Sequence, residues 1–269
     1  MEYLILGLEE HVNETFFENI YKLEGSHNLI YDLKTNRFLI HRYYNIQINE
    51  EISKSTEGQA VGLYRHALEQ AVDLRLRSDV KVGTCLSGGL DSSSIAVLAS
   101  RHYHKTSDQN FTAITAKSTE EKTDESHFAE MVVEDADMDW HLTEPTTENF
   151  IETIDEVIYT QEEPFGGMSI FMQYFVMKKA REVGCTVMLD GQRGDETLVG
   201  YETYFPYYLS SLLVRGKVTK FIGVLKELKN FKISKPSIIF KIILVLVYDK
   251  LLFLIPLLKK NYNKPYNSQ

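Results

Sequence analysis

Short apolar runs alternate with longer segments of helical period along most of this chain. Residues 28 to 33 and 37 to 42 form two strand patterns around Lys34-Thr35-Asn36 and predict a hairpin. A polar stretch near residues 47 to 57 reads as a hinge. From Glu57 to Arg77, Val61, Tyr64, Leu68, Ala71, Leu74 and Arg75 share one side of a helix. Val80 to Leu86 then alternates around β-branched residues and stops at a Gly pair. Beyond it Ser92-Ser93-Ser94 is predicted to cap a helix with Ile95, Leu98, Ala99 and His102 on its apolar face. The pattern continues with a strand near 111 to 116, a helix from Asp124 to Ala136 and a strand near 138 to 142. Helices near 147 to 160 and 169 to 183 and a strand from Cys185 follow. Strands separated by helices predict an α/β fold with a doubly wound parallel sheet, preceded by a small β-hairpin module. There is no internal repeat and no low-complexity segment.

The sharpest chemical signal is Ser87-Gly88-Gly89-Leu90-Asp91-Ser92-Ser93, placed where a strand turns into a helix. Without Cβ atoms at 88 and 89 the backbone can approach a phosphate, and the N–H groups and positive dipole end of the helix face the anion. Ser87, Ser92 and Ser93 add hydroxyl donors. A bare carboxylate beside phosphates is repelled, so Asp91 makes sense as a ligand to a Mg²⁺ that bridges it to them. No Lys follows the glycines, so this is not the common nucleotide loop with Gly, four spacers, Gly-Lys and Ser/Thr. The simpler alternative is a strand-to-helix turn that uses Gly and Ser for backbone reasons alone.

A second apolar run, Cys185 to Leu189, ends in Asp190-Gly191-Gln192-Arg193-Gly194-Asp195-Glu196. In open parallel sheets ligands collect at the carboxyl edge of the strands, so two such loops can face one crevice. Asp195 is then a second candidate carboxylate for Mg²⁺. A solvated turn before a capped helix is the alternative.

Ser-Gly-Gly-Leu-Asp-Ser-Ser at 87 to 93 resembles the pyrophosphatase loop of ATP-dependent N-type ligases. With Arg75-Leu-Arg-Ser-Asp79, Gln161-Glu-Glu-Pro-Phe-Gly166, Ser169-Ile170, Gln173-Tyr174, Leu189 to Glu196 and Gly200-Tyr201, the order and spacing resemble the synthetase domain of glutamine-dependent asparagine synthetases. Tyr3 to Gly7, Thr15-Phe16-Phe17, Leu29 to Leu33 and Arg42-Tyr43-Tyr44 resemble the end of that family's glutaminase domain. The resemblance implies a remnant of that domain over residues 1–48, an ATP pyrophosphatase/synthetase domain of the adenine nucleotide alpha hydrolase-like type over 57–213, and a tail over 214–269 belonging to an incomplete synthetase domain. It implies that Leu86, Ser87, Gly88, Gly89, Asp91, Ser92 and Ser93 hold ATP. Ala113 contacts the nucleotide through its backbone, Asp190 and Gly191 lie beside the adenylate, and Asp91 and Asp195 hold Mg²⁺. The activity implied is carboxylate adenylation with release of pyrophosphate, followed by attack of ammonia.

Two positions depart from the family. Gln192 stands where a glutamate tied to adenylate formation is usual, and Arg193 where a small residue is usual. Glutamine cannot act as a carboxylate base, and arginine adds bulk and a fixed charge. They leave the substrate open between aspartate and another carboxylate such as a surface-polymer precursor. An inactive nucleotide-binding homologue is the further alternative. The family's glutaminase uses an N-terminal cysteine, whereas Glu2 follows Met1 here. Cys85 and Cys185 lie in apolar strand patterns, where a thiol is inert. Ammonia is therefore expected from solution or a separate glutaminase subunit.

With 269 residues, 43% apolar and 25% charged, the chain can bury one large core and a small module. Two cysteines and three acids without a basic region in the first ten residues lead to the expectation of a cytoplasmic protein. The net charge of −9 is uneven. Residues 214 to 269 hold twelve Lys/Arg against Glu227 and Asp249, which leaves +10 there and −19 over residues 1 to 213. The acidic body disfavours nucleic acid. The apolar runs Ile238 to Phe240, Ile242 to Val247 and Leu251 to Leu258 read most simply as core helices with solvated lysines. Contact with an anionic membrane surface or an acidic partner is the other reading, and interrupting charges and Pro256 disfavour a span.

Overall fold

The computed structural model describes residues 2–8, 11–228 and 235–254. The end of the predicted apolar run, residues 255 to 258, and the chain after it lie outside the described residues, as do residues 229–234. Two compact units divide at Gly191 and Gln192.

In the first unit the hairpin consists of β1 (His27–Asp32) and β2 (Arg37–Arg42), antiparallel with Asp32 opposite Arg37. Its turn is fixed by Asp32 Oδ1, which accepts the N–H groups of Lys34 (2.8 Å) and Thr35 (3.3 Å), while Asn36 takes a left-handed φ of 52°. A short helix, α1 (Glu2–Leu6), precedes it. The polar hinge contains one more helix, α2 (Glu50–Ser53), because Asn49 Oδ1 accepts from both Glu51 N and Ile52 N. Next, α3 (Glu57–Arg75) opens on a reciprocal capping box between Thr56 and Gln59.

Four parallel strands follow: β3 (Val82–Cys85), β4 (Thr112–Ala116), β5 (Asp139–Thr143) and β6 (Val187–Leu189), in spatial order β5-β4-β3-β6. The helices between them are α4 (Leu90–Tyr103), α5 (Ser126–Ala136), α6 (Thr147–Gln161) and α7 (Ser169–Glu182). Burial explains the short strands. Val82 packs with Val72 of α3 and Ala99 of α4, and Leu86 with Ala96 and Ala129. On the other face Cys85 and Ile114 pack with Val176 and Ala180 of α7. All of β3 is buried, as a strand covered on both sides must be. The expected doubly wound α/β sheet is thus present. Its strand order reverses between β3 and β6, which makes the carboxyl ends of those two strands the switch point where crevices form.

The second unit is helical: α8 (Gly194–Leu198), a 3-10 turn (Glu202–Tyr204), α9 (Phe205–Val214), α10 (Val218–Glu227) and α11 (Lys235–Leu254). Leu209, Leu212, Leu228, Ile238 and Ile242 form its core. Among the described residues no helix is long and apolar enough to cross a membrane.

Candidate nucleotide site at the sheet edge

The end of β3 is held in place by buried polar groups. Leu86 N donates to Ile114 O (2.9 Å), and the Thr115 hydroxyl donates to Leu86 O (2.7 Å) while accepting Trp140 Nε1–H (2.9 Å). The loop then folds on itself through serine hydroxyls. Ser92 Oγ accepts from Ser87 N (3.2 Å), lies 2.9 Å from Ser87 Oγ and donates to Gly89 O (3.2 Å), and Ser87 Oγ accepts from Gly89 N (3.2 Å).

The predicted cap at Ser92 to Ser94 needs correction. Helix α4 starts at Leu90 with Gly89 as its N-cap, and no side chain caps its N-terminus. Ser92 is used inside the loop instead, which leaves the helix start for an anion or water. Ser93 Oγ is buried without a hydrogen-bond partner, a further polar atom for a ligand to satisfy.

Gly88 is required twice over. Its φ is +89°, and a Cβ there would lie 2.7 Å from Glu125 O and 3.0 Å from Ala129 N at the start of α5. Gly191 makes the equivalent approach from β6, since a Cβ on it would lie 2.6 Å from Ser92 N and 2.9 Å from Asp91 C. The Asp190-Gly191 turn therefore packs directly on the Asp91-Ser92 backbone. Below it the Thr84 hydroxyl donates to Leu189 O (3.3 Å), and Gln173 Nε2 donates to Asp190 Oδ2 (3.3 Å). Burial, followed by the Asp190 charge, pushes the Cys85 thiol up to about 12. Burial likewise raises Cys185, so neither cysteine is a thiolate near neutral pH.

A cleft of about 780 Å³ runs from Leu86 and Ser87 along the carboxyl edge to Thr146 and Ser169. Ile114 and Ala116 line it, whereas Ala113 is fully buried in the core. Glu125 faces this cleft. Its neighbour Asp124 is bound to the Ser126 N–H (3.1 Å) and hydroxyl (2.9 Å) at the start of α5. Burial pulls the Asp124 carboxyl upward, but those bonds, Ser118 N–H and the Lys117 charge together hold it below the ordinary value. Glu163 pairs with Lys22 at 3.7 Å, and Glu162 ends α6 in a left-handed conformation.

Gln192, Arg193 and Asp195 belong to the second unit. Arg193 precedes α8 with φ +74°, a conformation suited to glycine, and β-branched Val199 closes the helix at φ +60°. Gly200 lies against the Asp195 carboxylate, where any Cβ would collide. The Tyr201 phenol is raised by Glu196 first, then by burial and Asp195. Among the described residues no group of three or more His, Cys, Asp or Glu is assembled.

The asparagine synthase family model matches residues 63–233, most of the chain. The chain belongs to the asparagine synthase family. A Methanocaldococcus jannaschii protein provisionally named asparagine synthetase (glutamine-hydrolyzing) 2 is 33% identical over 215 residues, 78% of this chain and 39% of that protein. Asparagine synthetase (glutamine-hydrolyzing) 2 of Bacillus subtilis is 28% identical over 70% of this chain and 26% of its own length. Amidase chry2 of Gibberella zeae is 27% identical over 71% and 30%. The matches thus span well under half of each relative. An NH3-dependent NAD synthetase from Campylobacter jejuni, 17% identical, superposes with a TM-score of 0.35 over 51% of this chain and 58% of that one, too low to add to the fold.

Nothing local in the sequence signals the Thr115-Trp140 brace, whose members are remote in sequence from Leu86. Gln173 was visible within the family pattern, but its bond to Asp190 was not.

Proposed function

We propose that this chain binds Mg·ATP, activates a carboxylate as its acyl adenylate with release of pyrophosphate, and passes the acyl group to ammonia to give an amide. The observation that carries the reading is the meeting of the two loops at the switch point, with Gly191 on the backbone of Asp91 and Ser92. Leu86, Ser87, Gly88, Gly89, Ser92 and Ser93 would cradle the phosphates through the uncapped helix start, backbone N–H groups and the unpartnered Ser93 hydroxyl. Asp190 and Gly191 would lie beside the adenylate. Ala113, buried in β4, would contact the nucleotide through its backbone.

The donors suit Mg²⁺, which takes one or two carboxylates and otherwise phosphate oxygens and water; Asp91 and Asp195 would hold it, and it would neutralise the leaving pyrophosphate. The protein's own residues align the carboxylate with the α-phosphorus and keep the polyphosphate fixed. With both thiols neutral, ammonia would come from solution or a separate glutaminase subunit. Aspartate is the first acid to test. Gln192 and Arg193 favour a second reading, another carboxylate, and one relative bears the name amidase.

Exchange of labelled pyrophosphate into ATP tests this. Exchange that requires aspartate supports the first reading, and exchange only with another acid supports the second. ATP binding with no exchange for any acid would leave an inactive nucleotide-binding homologue and overturn both.

A further inference from the structure

From Ile238 to Val247, helix α11 offers almost no polar side to water. Ile238 and Ile242 on its inner side are buried with Leu209, Leu212 and Leu228. On the opposite side Ile239, Phe240, Ile243, Leu244 and Val247 recur at helical spacing and are 47 to 62% exposed. At 100° per residue these five cover an arc of about 140°. Lys241, at its edge, is the single charged residue from 238 to 247. A helix apolar on every side is ordinarily enclosed, so the outward arc is a contact surface.

The unit that contains it is rich in exposed cations. Arg215, Lys217, Lys220 and Lys226 are exposed in the same unit, within the segment of net charge +10. The family match ends at residue 233, before α11 begins, and nothing in the adenylation reading uses this helix.

We propose that the exposed face of α11 docks in the plane of an anionic lipid surface, with the exposed lysines and Arg215 of the same unit serving the headgroups. An apolar face without hydrogen-bonding groups, among cations and too charged to span, has the chemistry of an interfacial helix. A second copy of the chain suits it less well, because a two-fold contact through this face would bring two segments of +10 together.

Sedimentation of the full chain with vesicles tests the proposal. The chain should pellet with phosphatidylcholine vesicles containing phosphatidylglycerol, stay in solution with phosphatidylcholine alone, and be released by high salt. Phe240→Asp with Ile243→Asp should weaken binding by at least about tenfold, both positions being exposed. Lys217→Glu with Lys220→Glu should weaken it by about fivefold or more per residue, with circular dichroism unchanged. Absence of binding to the anionic vesicles, equal binding to neutral ones, or unchanged binding by folded Phe240→Asp/Ile243→Asp would overturn the proposal. So would a solution dimer that Phe240→Asp dissociates in a chain that ignores vesicles, or capture of an acidic protein by a chain that does so.

Discussion

The two glycine-bearing loops follow the same kind of strand and end very differently. At 87 to 93 the left-handed position is a glycine, Gly88, and the hydroxyls of Ser87 and Ser92 brace the turn. At 190 to 200 the left-handed positions are Arg193 and Val199, residues that pay a steric penalty there. One loop is built to hold a shape at low cost, and the other holds a shape against its own side chains. Nucleotide capture depends chiefly on the first in our reading, while acyl transfer depends also on the second.

The largest predicted effect probes their junction. Cys85 is neutral in the folded chain up to about pH 12, whereas an ordinary thiol ionises near 9.0. Its raised value favours the folded state until the unfolded thiol ionises, so stability is lost as pH rises from 9 towards 12. The loss approaches about 4 kcal/mol at the upper end. Urea midpoints across that range should fall more steeply for the wild type than for Cys85→Ala; parallel curves would mean that burial and the Asp190 charge do not hold the thiol neutral. Gly88→Ala should cost roughly 2–4 kcal/mol, from left-handed strain and the approach to the α5 backbone, as read by thermal or urea unfolding. Asp91→Asn should reduce pyrophosphate exchange on the order of 10²-fold or more with stability nearly unchanged. Smallest is Arg193→Gly, expected to stabilise by at most about 1 kcal/mol because relieved strain is partly offset by the freedom of glycine in the unfolded chain. A loss of stability in that variant would mean that Arg193 makes a contact worth more than its strain.

Much of this was legible because it is local. The Gly pair after β3 and the alternating strands announce their structure within a few residues. The capping role expected of Ser92 was not, because its hydroxyl had a nearer use in tying Ser87 to Gly89. Helix α2 hid in a polar stretch because only Asn49 signals it. Within the site, the glycines could be read as permissive but not as obligatory. Contact of Gly88 with α5 depends on β4 lying beside β3, and contact of Gly191 with Ser92 on β6 lying beside β3 across about a hundred residues of chain.

The central claim is that the first loop holds the pyrophosphate end of ATP, and calorimetric titration tests it most directly. The full chain should bind Mg·ATP and Mg·pyrophosphate, bind AMP much more weakly, and lose the first two in a folded Gly88→Ala variant. Equal binding of pyrophosphate by wild type and Gly88→Ala, or AMP binding as tight as that of ATP, would contradict it.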